Sequence, residues 1–239
     1  MDAHAPASAN QIAPKRAMVD AATLILIDRS DRVPKVLLGR RHQGHTFMPG
    51  KFVFPGGGVD PTDRLMPVAS PLDARAESRL MSRVVRPSRL KARALALAAI
   101  RETFEETGLL IGSRRENPPK TPGGPWAAFA EAKIHPELAG MHFIARAVTP
   151  PHLPRRYDTR FFTVDAEAVA HRVEGVVGPD AELVELVWLP IAETVRLDLA
   201  TITGVVLRAL DLRIRAGLDH DEPVPYYYMA RGSFRRDLL

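Results

Sequence analysis

Residues 101–109 read Arg-Glu-Thr-Phe-Glu-Glu-Thr-Gly-Leu, and this stretch decides how the rest of the chain is interpreted. In a helix, Glu102 and Glu106 lie one turn apart and Glu105 is three residues from Glu102, so the three carboxylates share one face. Like charges at these spacings repel by roughly 0.2–0.5 kcal/mol per pair. Arg101 alone does not neutralise them, and the stretch predicts a site for Mg²⁺ or Mn²⁺ with oxygen ligands. The alternative is an acidic surface turn that ends at a C-capping glycine.

A second informative stretch lies upstream, where Phe-Pro-Gly-Gly-Gly-Val-Asp occupies residues 54–60. It follows a short apolar run, residues 52–54, that predicts a strand ending in a turn. Consecutive glycines allow the backbone to approach a ligand closely and to direct its carbonyl and N–H groups toward that ligand. The glycine loop is therefore a candidate partner for the acidic helix in one site.

Together the two stretches resemble the signature of the Nudix hydrolases. That signature is Gly, five residues, Glu, seven residues, and then Arg-Glu-aliphatic-x-Glu-Glu-x-Gly-aliphatic. Here Gly57 is followed after five residues by Asp63, which replaces Glu, and Thr103 stands at the aliphatic position. The second half of the signature begins only at Arg101, so a segment of about 30 residues is inserted within it. The resemblance covers roughly residues 18–215.

The resemblance implies an α/β fold, the Nudix α/β/α sandwich with a mixed β-sheet, and a helical insertion at about residues 64–91. It implies that a divalent metal is bound by three carboxylates and one backbone carbonyl, those of Glu102, Glu105, Glu106 and Gly56. It also implies catalytic roles for Glu102 and Glu105, and for Arg101, which would orient the carboxylates by pairing with a glutamate or with Asp63.

Two residues are candidates for the general base. In the family it is a glutamate of the signature or a carboxylate from a later loop, so Glu102 is one candidate and Glu182 the other. Because a metal-activated water needs only a weak base, neither choice requires a tuned histidine.

Residues 47–57 and 155–162 resemble a branch of the family with an interrupted signature, whose animal members are peroxisomal coenzyme A diphosphatases. The favoured substrate is therefore coenzyme A or acyl-coenzyme A, although Gly39, His42 and Thr46 depart from the motif of coenzyme A-cleaving members. The alternatives are ADP-ribose, a dinucleotide or a nucleotide sugar as substrate, and a non-catalytic Nudix-fold binding module. The candidate substrate-binding residues are Arg41, Gly57, Gly58, Arg156 and Arg160.

Arginines cluster in the insertion and allow two interpretations. The segment from Arg64 to Arg93 is strongly basic and either caps the glycine loop, where it would bind a phosphate, or forms a solvated helix. Arg156 and Arg160, beside Tyr157, either bind phosphate or brace the start of a strand.

The amino-acid composition limits the domain organisation, the location and the partners that can be expected for the chain. With 239 residues, the chain is long enough for one large domain, predicted over residues 17–239, after a disordered arm at residues 1–16. The absence of cysteine excludes thiolate metal sites and cysteine nucleophiles, and it fits a cytoplasmic location. No apolar run approaches the roughly 18 residues that a membrane span needs. The net charge of +5 gives little support to a nucleic-acid partner, and a homodimer is left open.

Periodicity and breaker residues predict a mixture of strands and helices without a regular repeat. The strands are expected at residues 18–28, 35–40, 143–148, 160–164 and 183–189, and the helices at 73–85, 89–107, 191–196 and 201–215. Ser88 is the expected N-cap of the acidic helix, and Gly108 is expected to end it.

Overall fold

The computed structural model describes residues 17–46, 48–153 and 155–239. The predicted disordered arm, residues 1–16, lies outside these ranges. The strands are β1 (Val19–Asp28), β2 (Lys35–Arg41), β3 (Phe52–Val53), β4 (Gly56–Gly58), β5 (Leu109–Ile111), β6 (Ser113–Arg114), β7 (Ile134–His135), β8 (His142–Val148), β9 (Tyr157–Asp165), β10 (Val169–Arg172), β11 (Leu183–Pro190), β12 (Pro225–Ala230) and β13 (Ser233–Leu238). The α-helices are α1 (Ala74–Leu80), α2 (Arg89–Thr107), α3 (Ala127–Glu131) and α4 (Thr201–Arg215), and 3₁₀ turns occupy Pro61–Arg64, Gly124–Trp126, Ala166–Ala168 and Ile191–Arg196.

A mixed sheet organises the described residues. Its strand order is β11-β2-β1-β9-β8-β12-β13, with β3 paired to β2 and β4 paired to β1. β1 runs parallel to β9 and β12 runs parallel to β8, whereas β1 and β2 form an antiparallel hairpin. The predicted mixed sheet is therefore confirmed.

The two faces of the sheet are covered by different helices. Successive side chains of a strand point to opposite faces, and β1 shows this alternation clearly. Leu24 and Leu26 belong to the apolar cluster that includes Leu97 of α2, whereas Ile25 belongs to the cluster that includes Val206 of α4. The predicted α/β/α sandwich is confirmed.

Helix α2 has the predicted bounds. The Ser88 hydroxyl accepts a hydrogen bond from the Lys91 N–H at 3.4 Å, which caps the start of the helix. At the other end, Gly108 adopts a left-handed φ of 76°. A Cβ at position 108 would lie 2.1 Å from the Val173 carbonyl oxygen, so only glycine fits there. These caps place the three glutamates in the last turns of the helix.

The helix of the insertion is shorter than predicted, and the arginines Arg75 and Arg83 stay at least half exposed, which favours the solvated helix over the phosphate-binding cap. Helix α1 ends at Leu80 rather than Val85, because the chain turns there and Arg83 and Arg86 adopt φ values of 53° and 56°. The arginines of the insertion pair with the C-terminal part of the chain. Arg75 contacts Asp221, Arg79 donates to the carbonyls of His220 and Asp221, and Arg83 donates to Asp237. These contacts fasten the insertion to the C-terminal segment, and they leave the three arginines committed to protein partners.

Across the described ranges, no helix is both long enough and apolar enough to cross a lipid bilayer.

Candidate active site

The acidic helix and the glycine strand meet directly. Gly56–Gly58 pairs antiparallel with residues 21–23 of β1, and α2 packs across both strands. A Cβ at Gly57 would lie 2.5 Å from the Glu102 carboxylate, so a side chain there would displace Glu102. The lack of a side chain at position 57 is therefore what lets the loop and the acidic turn lie in contact.

Arg101 links the parts of the site. Its Nη2 donates to the Gly58 carbonyl at 2.7 Å, and its Nη1 donates to Glu102 at 2.9 Å and to Glu105 at 2.5 Å. Its Nε donates to Asp63 Oδ1 at 2.8 Å, and Nη2 lies 3.2 Å from Asp63 Oδ2. The buried guanidinium thus holds three carboxylates and one strand carbonyl in fixed relative positions.

Asp63 reaches Arg101 although it is one methylene shorter than the glutamate of the family signature. It is 0% exposed and lies in the 3₁₀ turn Pro61–Arg64, which Asp60 caps. The Asp60 N–H donates to Asp63 Oδ2 at 2.8 Å, so the backbone of the turn fixes the carboxylate. The turn brings the shorter side chain close enough to form the ion pair.

Glu106 is buried against the start of the glycine strand. Its Oε2 accepts a hydrogen bond from the Gly56 N–H at 3.3 Å. Burial raises the pKa of Glu106 well above its usual value, and the charges of Glu182 and Glu102 raise it further, against the opposing effect of Arg41. Burial likewise raises the pKa of Glu102 to about 7, although Arg101 acts in the opposite direction. Both shifts follow from carboxylates that crowd one poorly solvated space.

Strand pairing brings Glu182 into the same space. Leu183 pairs with Arg41 across β11 and β2, and Arg41 Nη2 lies 2.7 Å from Glu182 Oε1. The same Nη2 lies 3.1 Å from His45 Nδ1, whereas the buried Arg41 Nε has no hydrogen-bond partner. The Arg41–Glu182 pair therefore lies within electrostatic reach of Glu102 and Glu106.

We call this group of side chains the acidic cluster. Five carboxylates face two guanidinium groups in it, and its members are Arg41, Asp63, Arg101, Glu102, Glu105, Glu106 and Glu182.

The acidic cluster suits a divalent cation chemically but does not form a closed metal cage. No three acidic or histidine side chains among the described residues are arranged as a ready metal site. The reason is that Arg101 occupies oxygens of Glu102 and Glu105, while Glu106 faces the Gly56 N–H. The cluster nevertheless offers hard oxygen ligands, and its carboxylates outnumber its guanidinium groups. Mg²⁺ and Mn²⁺ prefer such oxygen ligands. A bound cation would also offset the burial and the repulsion that raise the pKa values of Glu102 and Glu106.

Arg160 lies in a separate group, which we call the basic cluster. It is 1% exposed, and its Nη1 donates to Asp20 Oδ1 at 2.6 Å and to the Asp158 carbonyl at 2.7 Å. This position favours bracing of β9 over contact with a phosphate. The cluster consists of Asp20, Lys91, Arg146, Asp158 and Arg160.

The structure therefore separates the predicted substrate-binding residues. It places Arg41, Gly57 and Gly58 at the acidic cluster and Arg160 in the basic cluster. The carbonyl of Arg156 accepts a hydrogen bond from the Val19 N–H, at the start of β1, and its buried Nε has no partner.

Sequence reasoning missed Arg146 and its partner Asp158. Arg146 Nε and Nη2 donate to the two Asp158 oxygens at 2.8 and 2.6 Å. The strand was expected only from residue 160, whereas β9 begins at Tyr157, and this earlier start places Asp158 and Arg160 on one face. Arg146 sits on the neighbouring strand, directly opposite Arg160.

Comparison with solved structures identifies similar folds. A Nudix hydrolase from Alicyclobacillus acidocaldarius is 28% identical with a TM-score of 0.62, and the match covers 83% of this chain and 96% of that protein. The NUDIX domain of Shewanella oneidensis NrtR, solved with ADP ribose, is 16% identical with a TM-score of 0.47 over 83% and 90% of the two chains. The second likeness is too weak to carry a functional argument.

No protein-family model matches the chain, and no curated protein matches it. The first structural likeness and the observed sheet show that the chain has the Nudix fold. They support membership of the Nudix family and a hydrolase that acts on phosphoric anhydride bonds.

Proposed function

We propose that this Nudix-fold chain is a Mg²⁺- or Mn²⁺-dependent pyrophosphohydrolase that cleaves the diphosphate of a nucleoside diphosphate linked to another group. Coenzyme A or acyl-coenzyme A is the favoured substrate. The observation that carries the proposal is the junction of the acidic turn of α2 with the glycine strand, where one buried guanidinium holds Gly58, Asp63 and two glutamates. Hydrolysis of a diphosphate needs this combination of crowded carboxylate oxygens and an approachable backbone.

In the proposed reaction, water attacks one phosphorus, one P–O–P bond breaks, and two phosphate monoesters leave. Glu102, Glu105, Glu106 and the Gly56 carbonyl would hold the metal, which when bound would polarise the phosphoryl oxygens and lower the pKa of a water. Arg101 keeps Glu102 and Glu105 in place.

Two carboxylates remain candidates for the group that accepts the proton from the attacking water. Arg41 pairs with Glu182, which lies within electrostatic reach of Glu102. The glycine strand presents no side chains, so its backbone is accessible to phosphate oxygens. The choice between Glu102 and Glu182 stays open.

Support for coenzyme A comes from the sequence around the glycine strand and from residues 155–162. The insertion does not add to that support, because Arg75, Arg79 and Arg83 contact the C-terminal segment. The preference for coenzyme A therefore depends on the motif alone. A cytoplasmic location and a homodimer likewise stay predictions.

A substrate panel tests the proposal. Purified protein would be incubated with coenzyme A, acetyl-coenzyme A, ADP-ribose, a dinucleotide and a nucleotide sugar, with Mg²⁺ or Mn²⁺ and with EDTA, and the products separated by chromatography. We expect coenzyme A to yield adenosine 3′,5′-bisphosphate and a phosphopantetheine, with turnover lost in EDTA and restored by excess metal. If folded protein cleaves none of these diphosphates, the proposal is wrong. Cleavage of another panel member alone would retain the reaction class and change the substrate.

A further inference from the structure

The two arginines of the acidic cluster differ in how many of their N–H groups are engaged. A guanidinium side chain carries five N–H donors and no acceptor. Arg101 uses all five, because its Nε, Nη1 and Nη2 donate to the carboxylates and the strand carbonyl described above. Arg41 donates only through Nη2, to Glu182 and to His45, so its single N–H on Nε and both N–H groups on Nη1 have no partner among the described residues.

Arg41 is therefore the cation of the acidic cluster that can still bind an anion. Its side chain is 13% exposed, and since its Nε is buried, Nη1 is the donor that a ligand meets. Its charge opposes the rise in the pKa of Glu106, which places it near the last turn of α2. Guanidinium donors bind phosphate oxygens strongly. A diphosphate at the acidic cluster finds free guanidinium donors on Arg41 and none on Arg101.

His45 fixes the direction of the free donors of Arg41. Since a guanidinium only donates, the contact of 3.1 Å between Arg41 Nη2 and His45 Nδ1 makes Nδ1 the acceptor and leaves the ring proton on Nε2. The other partner, Glu182, is 43% exposed, and an exposed ion pair alone does not hold a long side chain in one orientation. Two acceptors on one nitrogen define the plane of the guanidinium and therefore the direction of Nη1.

The loop that carries His45 is anchored next to Glu182. The His42 N–H donates to the Glu182 carbonyl at 3.0 Å, and the His45 N–H donates to the His42 carbonyl at 3.2 Å. The His42 side chain serves its own loop, because its Nδ1 accepts a hydrogen bond from the Gly44 N–H at 2.9 Å. The backbone thus brings both acceptors of Arg41 Nη2 together, and of the two histidines it is His45 that contacts the acidic cluster.

We propose that His45 is a positioning residue, which orients Arg41 so that Arg41 Nη1 binds one phosphate of the diphosphate substrate. This inference rests on the proposed function. A substrate with two adjacent phosphates can place one at the carboxylates and their cation and the other at Arg41, whereas a monophosphate engages only one of these groups. His45 contacts the guanidinium and takes no part in the chemical step.

Paired substitutions of His45 test this role in steady-state kinetics, with the diphosphate that wild-type protein cleaves best. His45→Leu removes the acceptor and should raise KM about fivefold, which is the contribution of one hydrogen bond. It should change kcat by less than about twofold, because the interaction is made in the ground state as well as in the transition state. His45→Asn should restore KM to within about twofold of wild type, since its amide oxygen can accept the same N–H. The control His171→Leu, which changes an exposed histidine of β10, should leave KM unchanged.

Dependence on Arg41 separates positioning from a general effect on the loop. In an Arg41→Met background, His45→Leu should have no further effect on KM, because the group that His45 orients is gone. A rise in KM that persists in this background, or a His45→Asn variant as impaired as His45→Leu, would overturn the assignment. An unchanged KM in His45→Leu, with hydrolysis intact, would also overturn it and would retain the proposed function.

Binding of a diphosphate that resists hydrolysis reports on the site independently of turnover. Isothermal titration calorimetry in Mg²⁺ would use α,β-methylene adenosine diphosphate as the probe and adenosine monophosphate for comparison. Wild-type protein should bind the diphosphate more tightly, and its Kd should rise about fivefold in His45→Leu, which narrows the difference between the two ligands. If wild-type protein shows this pattern but hydrolyses no diphosphate, the proposed function is wrong and the role of His45 in binding stands. Equal Kd values for wild type and His45→Leu, or no binding of the probe, would reject that role.

Discussion

The acidic cluster and the basic cluster both lie between α2 and the sheet, and both are built from arginines and carboxylates. Their charge balance differs. The acidic cluster places five carboxylates against two guanidiniums, and its excess negative charge contributes to the raised pKa values of Glu102 and Glu106. The basic cluster places three cations against two aspartates, and Arg146 and Asp158 form a two-bond pair inside it.

Under the proposed function, this difference separates a reactive site from a structural one. A buried charge without a partner is costly, whereas a matched pair with satisfied hydrogen bonds is tolerated. The acidic cluster has three more carboxylates than guanidiniums, an unfavourable excess that a bound cation can relieve. The basic cluster is one charge from neutrality, although Arg160 Nε and Nη2 have no hydrogen-bond partner. Mutations should therefore affect activity in the first cluster and stability in the second.

The largest effect is expected from Glu106→Gln. If Glu106 holds the metal, its loss removes several kcal/mol of transition-state stabilisation, which is about a thousandfold in kcat. The urea midpoint should not fall, because the raised pKa of Glu106 means that its charged form opposes folding at neutral pH. Turnover and urea unfolding should be measured beside Glu116→Gln, which changes an exposed acid. A variant with wild-type kcat would show that Glu106 does not hold the metal.

Asp158→Asn should give the opposite pattern. It leaves the buried Arg146 without its carboxylate partner, whereas Arg160 keeps Asp20, and breaking a buried pair of this kind costs about 3–5 kcal/mol of folding free energy. Urea unfolding should reveal the loss, while kcat of the protein that remains folded at low temperature should stay near wild type. Asp31→Asn, at an exposed pair with Lys35, is the matched control. A fall in kcat without a loss of stability would place the basic cluster in the catalytic machinery and remove the distinction between the clusters.

How well a structural feature could be predicted from the sequence depends on how far apart in the chain its interacting residues lie. Ser88 and Gly108 specify the ends of α2 through their own backbone and side-chain preferences, so local reading located the acidic turn correctly. The strand formed by the three glycines was missed, because glycine has low intrinsic strand propensity and pairing with β1 alone stabilises it.

Long-range partners were harder to predict. The pairing of Arg41 with Glu182 depends on the register of β2 against β11, across 141 residues of sequence. The arginines of the insertion looked like a basic cap because their composition is visible in the sequence, whereas the C-terminal acceptors they bind are not adjacent to them. Local chemistry thus predicted the acidic turn of α2, and topology decided which basic residues lie beside it.

The smallest effect is a pH dependence of stability that should distinguish the clusters without any measurement of activity. The pKa of Glu102 is about 7 in the folded protein, above the value of about 4.3 expected when unfolded. Its stabilising contribution is complete below about pH 4.3 and is lost as the pH rises toward 7, at no more than about 1.4 kcal/mol per pH unit. In EDTA, Glu102→Gln should reduce the decline of unfolding free energy over this range but not abolish it, because the raised pKa of Glu106 contributes a decline of its own; urea denaturation at several pH values measures both. Since a cation favours the ionised carboxylates, added Mg²⁺ should reduce the decline more in wild-type protein than in the variant, which lacks one of the three glutamates. A decline that persists equally in both proteins would mean that its source is another group, and that the excess charge of the acidic cluster is already neutralised by its own arginines.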